Sequence, residues 1–144
     1  MNGALNLKKS GNGSNKKVRS PFTEAELKYF ERLILDKKAK ALEEAEKLRE
    51  KLEQEFRDNL DNDTAYSYHI CDSASTTMYR EQLYLQIDRE LKLVGYLNRA
   101  LERIKNGTYG ICRVTGQVID KERLEAIPHT EISVEAKLRE KKAT

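Results

Sequence analysis

Between Phe22 and Val94 the chain has neither glycine nor proline, the two residues that most readily end a helix. Only one stretch in that span is built to reverse the chain: the polar run DNLDNDTAYSYHICDSAS, residues 58–75. Cysteine is scarce too. Cys71 and Cys112 are the only two, too few for a disulfide framework, so reduced thiols are expected. No apolar run is long enough to span a membrane, and residues 1–20 have no apolar signal core. The expectation is a cytoplasmic protein that makes no membrane contact.

The 144 residues suit one domain with a small appendage, and their balance, 38% hydrophobic against 35% charged, is too polar for a thick core. Long, two-sided helices fit it better. The formal charge of +3 is unevenly spread. Lys8, Lys9, Lys16, Lys17 and Arg19 lie in the first twenty residues with no acid among them; without those five, 22 basic residues face 24 acidic ones. A nearly neutral folded part does not point to a nucleic-acid groove binder, so no direct sequence-specific DNA contact is expected. Residues 1–20, rich in Asn, Gly and Ser, read as a disordered basic tail.

The start of the first helix is written in its capping chemistry. Thr23 stands three residues before Glu26 as a capping box, Phe22 and Leu27 are spaced as a hydrophobic staple, and Pro21 closes the coil before them. Leu27, Phe30, Ile34, Ala41, Ala45, Leu48, Leu52 and Phe56 then recur at three- and four-residue spacing, interrupted once at Lys37 or Lys38. Glu43 and Lys47, and Glu46 and Arg49, are paired on the solvated face. A second helix is expected from about Ser73 to Lys105, with Leu83, Ile87, Leu91, Val94, Leu97 or Asn98, Leu101 and Ile104 along its seam. Each arm would be about 50 Å long, and the short connection forces the two antiparallel. Asn106-Gly107 is the stop.

Beyond the stop the pattern changes. Thr115-Gly116 reads as a turn joining the β-prone runs Ile111–Val114 and Gln117–Ile119, and a short helix from about Thr130 ends the chain. The segment TYGICRVTGQVIDKERLEAIP resembles the C-terminal zinc-finger piece of the DksA/TraR family of bacterial transcription regulators. EAELKYFERLIL is similar to that family's helical entry, and Asp72-Ser73-Ala74 stands where members carry Asp-x-Ala at the hairpin end. The likeness covers about residues 20–142.

The resemblance implies a mostly all-α fold: a basic tail at 1–20, a long antiparallel coiled-coil hairpin at 21–106 with its tip near 58–75, and a zinc-finger-like globule with a terminal helix at 107–144. Of the four zinc-ligand positions only Cys112 keeps its cysteine; Thr115, Ser133 and Ala136 fill the others, so no zinc and no other cofactor is expected. Structural zinc stabilises small fingers by roughly 10–16 kcal/mol, and a buried large apolar side chain by about 1.5–3 kcal/mol. A handful of well-packed residues would offset the loss. The candidates are Ile111, Val114, Val118, Ile119, Leu124, Ile127, Ile132, Val134 and Leu138.

Family members place the hairpin in the secondary channel of RNA polymerase, and the resemblance implies that role for Asp72, with Ala74 allowing close approach. His69 stands where many members have a second Asp, and Arg89 matches a basic position that supports polymerase binding. Of three basic positions linked to the alarmone ppGpp only Lys137 remains; Tyr96 and Ile127 hold the other two. Read without the family, Asp72 is an ordinary helix N-cap, a role compatible with the first. Asp61, Asp63 and Asp72 fall at calcium-loop spacing, but Tyr66 stands where that loop needs glycine. No nucleophile and base pair or phosphate loop is recognisable. The expectation is a monomeric, non-enzymatic regulator that binds RNA polymerase; the alternative is a coiled-coil adaptor that has lost polymerase binding.

Overall fold

A computed structural model describes residues 19–61 and 69–143, with the side chains of 59–61 and 69–74 outside the description. Among the described residues four helices follow in order: α1 (Glu24–Asp61), α2 (His69–Asn106), α3 (Lys121–Ala126) and α4 (Val134–Ala143). The chain divides into two compact units, one formed by Glu31–Leu101 and the other by the residues up to Phe30 together with those from Glu102 onward.

The unit Glu31–Leu101 is a pair of helices. Ile34, Ala41, Ala45, Leu48 and Leu52 of α1 and Leu83, Leu97 and Ala100 of α2 are buried, which is the expected three- and four-residue stripe. Leu48, Leu52 and Leu83 form one cluster with Ile87 packed against it. Further along, the Arg80 guanidinium lies 4.4 Å from the centre of the Phe56 ring. Positions rising along α1 therefore meet positions falling along α2, and the helices are antiparallel. Two expected seam residues are exposed: Phe56 at 42% and Leu91 at 41%. Leu97, not Asn98, takes the inner position, with Ala100 beside it. Lys37 and Lys38 do not interrupt α1, because both are only half-buried and their long stems reach water.

The break between the helices is narrower than residues 58–75. α1 continues to Asp61 and α2 begins at His69, so Asp72 and Ala74 lie in the first turns of α2, and Asp72 is not its N-cap. An acid in the first turn is favoured by the helix dipole much as a capping residue is favoured just outside it, and sequence cannot separate the two. Residues 62–68, which hold Asp63 and Tyr66, lie outside the described residues.

The other unit starts at the capping box. The Glu26 amide donates to Thr23 Oγ1 at 3.2 Å, as the sequence requires. Phe22 packs on Phe30 and Tyr109, with ring centroids 5.5 and 6.3 Å away, and Phe30 lies 5.4 Å from Tyr109. α2 ends as a Schellman motif: Gly107, at φ 75°, donates to the Ile104 carbonyl, and Thr108 donates to that of Arg103. Gly116, at φ 71°, closes the turn onto the Cys112 carbonyl. The two β-prone runs form no strand among the described residues; they meet in one antiparallel bridge, Ile111 with Val118. α4 starts at Val134, four residues after the expected start.

The core of this unit also differs from the expected set. Ile119 and Leu124 are buried, but Val114, Val118, Val134 and Leu138 are exposed, and the interior is completed by Tyr109, Cys112, Pro128 and Ala136. In segments of only a few residues no periodicity identifies the inward side.

Candidate functional site

The four positions matching zinc ligands come together in the globular unit. The turn at Gly116 carries Cys112 and Thr115, Ser133 stands just before α4, and Ala136 lies in its first turn. Cys112 Sγ accepts the amide hydrogen of Thr115 at 3.5 Å within its own turn, and that of Ser133 at 3.4 Å from across the subdomain. Ser133 Oγ accepts the Ala136 amide at 3.2 Å, which starts α4. Cys112 and Ala136 are each 1% exposed, and Ser133 is buried. Burial pushes the Cys112 thiol up, but the Thr115 side chain and the amides of Ser133, Thr115 and Val114 outweigh it and bring the pKa from 9.0 down to about 6. The donor set is one thiol, two hydroxyls and a methyl group. Structural zinc needs four Cys or His donors, so the residues present do not fit it.

A polar network that the sequence did not disclose surrounds the cluster. Glu131 bridges two arginines, with Oε1 2.9 Å from Arg103 Nη1 and Oε2 3.5 Å from Arg113 Nη1. Arg103 Nη2 also donates to the His129 carbonyl, and the Arg113 amide donates to the Glu131 carbonyl. Arg123 ties α3 to the following loop by donating to the Ile132 carbonyl and to Thr130 Oγ1. The Tyr109 hydroxyl donates to the Pro128 carbonyl at 2.8 Å, and burial holds its pKa far above the ordinary 10.0. These bonds cross 7 to 28 residues of sequence, which no local pattern encodes.

In the helical unit Arg89 is exposed and lines a cleft of about 290 Å³ with Glu44, Leu48, Gln86 and Glu90. Tyr96 is 45% exposed, with the Arg99 guanidinium 4.8 Å from its ring centre. Lys137 is exposed on α4. Tyr96 belongs to one unit, and Ile127 and Lys137 to the other. Of the tip positions His69, Asp72 and Ala74 the description extends to the helical backbone only. Among the described residues no helix is long and apolar enough to cross a membrane.

The chain thus combines an antiparallel helix pair with a small unit built on a finger-like cluster. Residues 107–142 match the family described as prokaryotic dksA/traR C4-type zinc finger. The chain is 33% identical over 120 residues to the RNA polymerase-binding transcription factor DksA of Caulobacter vibrioides, covering 83% of this chain and 79% of that one. It is 46% identical over 70 residues to general stress protein 16O of Bacillus subtilis, a match spanning 47% of this chain and 42% of that protein. Among solved structures, transcription factor DksA2 from Pseudomonas aeruginosa superposes with a TM-score of 0.72 at 31% identity, over 83% of this chain and 86% of that chain. The chain belongs to the DksA/TraR family.

Proposed function

We propose that this chain is a non-enzymatic transcription regulator that binds RNA polymerase directly and carries the junction between its two long helices into the secondary channel, modulating initiation. The observation that supports it most is the antiparallel pair of 38-residue helices, in a chain 33% identical to a polymerase-binding DksA over 83% of its length. At 1.5 Å per residue each helix runs about 57 Å, enough reach to present Asp72 at a distant site. In this reading Asp72 supplies a carboxylate, Ala74 permits close approach, His69 stands where a second acid is lost, and Arg89 steadies the arm against polymerase. Residues 21–106 provide the reach and 107–144 the support. Lys137 remains from an alarmone site whose other two positions, Tyr96 and Ile127, carry no charge. The protein acts as a cytoplasmic monomer, makes no sequence-specific DNA contact, and holds no zinc.

The test is capture of core RNA polymerase by the purified protein, with competition by another factor that occupies the channel. Capture abolished by the competitor is the expected result; failure to capture favours the adaptor reading. Asp72→Asn then isolates the charge. It should leave helicity and polymerase capture intact and remove the effect on transcription, and a variant with full transcriptional effect would refute the role of Asp72.

A further inference from the structure

We infer that the Cys112 sulfur is the tie that closes this subdomain, doing by hydrogen bonding across two segments what a cation does in a four-cysteine finger, on a backbone still shaped to hold one. The inference rests on the zinc-free reading above and adds to it the agent that replaces the metal.

A structural metal in a finger joins two short loops that cannot bury enough surface to stay together. Here the loops are the turn around Cys112–Gly116 and the segment Glu131–Ala136. Among the described residues two hydrogen bonds and an ion pair cross from one to the other at this point: Ser133 N–H to Cys112 Sγ at 3.4 Å, Arg113 N–H to the Glu131 carbonyl at 2.9 Å, and Arg113 Nη1 with Glu131 Oε2 at 3.5 Å. A third bond, Thr115 N–H to the same sulfur, points an amide of the turn inward where a second ligand would stand. Two amides thus converge on one buried sulfur. Ser133 and Ala136 are both buried beside it, so the two positions of the second loop face the same interior as the first. A donor added at those positions would share that interior with Cys112. The inferred cradle is therefore the backbone, which keeps the four positions together although three of them hold no metal donor.

The full-length chain tests this in two arms. In the first, native mass spectrometry and thermal unfolding are measured for the wild type with one equivalent of zinc and with excess chelator. No bound zinc and an unchanged Tm are expected; a chelator-induced fall in Tm would overturn the zinc-free reading itself. In the second arm, Cys112→Ala should lower the Tm of the globular unit by about 4 °C or more and speed exchange of the Ser133 and Thr115 amides. An unchanged Tm and unchanged exchange, with the wild type still insensitive to chelator, would overturn the tie alone. Should Cys112→Ala fail to fold, the triple variant Thr115→Cys, Ser133→Cys, Ala136→Cys still decides. It should bind one zinc and acquire a chelator-sensitive Tm, whereas a triple variant that binds none would refute the retained cradle.

Discussion

The two units of this chain solve the problem of staying folded by opposite means. Glu31–Leu101 relies on repetition: a narrow stripe of Leu, Ile and Ala in which no residue is indispensable and most bonds are local to a helix. The globular unit has too little chain for a stripe. It relies on single contacts between distant residues, such as Tyr109 with Pro128, Arg103 with Glu131, and Cys112 with Ser133. A stripe spreads its stability and degrades gradually; a knot of unique contacts concentrates it.

That contrast can be broken most forcefully at Tyr109, which is 0% exposed and packs on Phe22 and Phe30. Tyr109→Ala should cost about 3–5 kcal/mol, with loss of near-ultraviolet tyrosine dichroism and retention of most helical signal from α1 and α2. An equal loss of helical signal would show that the units do not fail separately. Leu83→Ala, the corresponding blow to the stripe, should cost about 2–3 kcal/mol by denaturant titration, and Leu91→Ala, half in water, under about 1 kcal/mol.

Finer comparisons use polar groups. Glu131→Gln weakens two arginine contacts at a site where Arg103 and Glu131 are 20% and 31% exposed, and a loss of about 1–2 kcal/mol is expected in thermal unfolding. Tyr109→Phe removes one buried hydrogen bond, about 1 kcal/mol at neutral pH, and also changes the alkaline limb. Because burial raises the Tyr109 pKa above 10.0, the neutral phenol stabilises the fold fully below pH 10, and that contribution is lost as pH rises toward the folded value. Wild-type Tm should therefore fall more steeply above pH 10 than that of Tyr109→Phe. At the small end, Glu43→Gln, which breaks an exposed 3.2 Å pair with Lys47, should change stability by no more than about 0.5 kcal/mol.

The same division governs what the sequence discloses. The Thr23 cap, the stop at Gly107, the turn at Gly116 and the stripe from Ile34 to Leu52 are all local or periodic, and each is legible. The zinc-position cluster was legible only through family likeness, since nothing local links Cys112 to Ala136. Tyr109, Arg103 and Glu131 escaped because their partners lie 19 and 28 residues away. Hydrophobicity alone points Val114 and Val118 inward, but the single bridge of Ile111 with Val118 is too short to bury an apolar face, and both valines are exposed. The start of α2 was placed late because Asp72 and Ser73 are as suited to precede a helix as to begin one.

Three of the side chains buried along the helical pair, Ala41, Ala45 and Ala100, are no larger than a methyl group. Small side chains between two helices let their backbones approach toward the short end of the usual 8–10 Å between axes, closer than leucine allows. All three are buried away from solvent. Replacing them with bulkier ones would thicken the helix pair while sparing its exposed groups and, for the channel-entering role proposed above, would separate fit within a narrow bore from recognition of its walls.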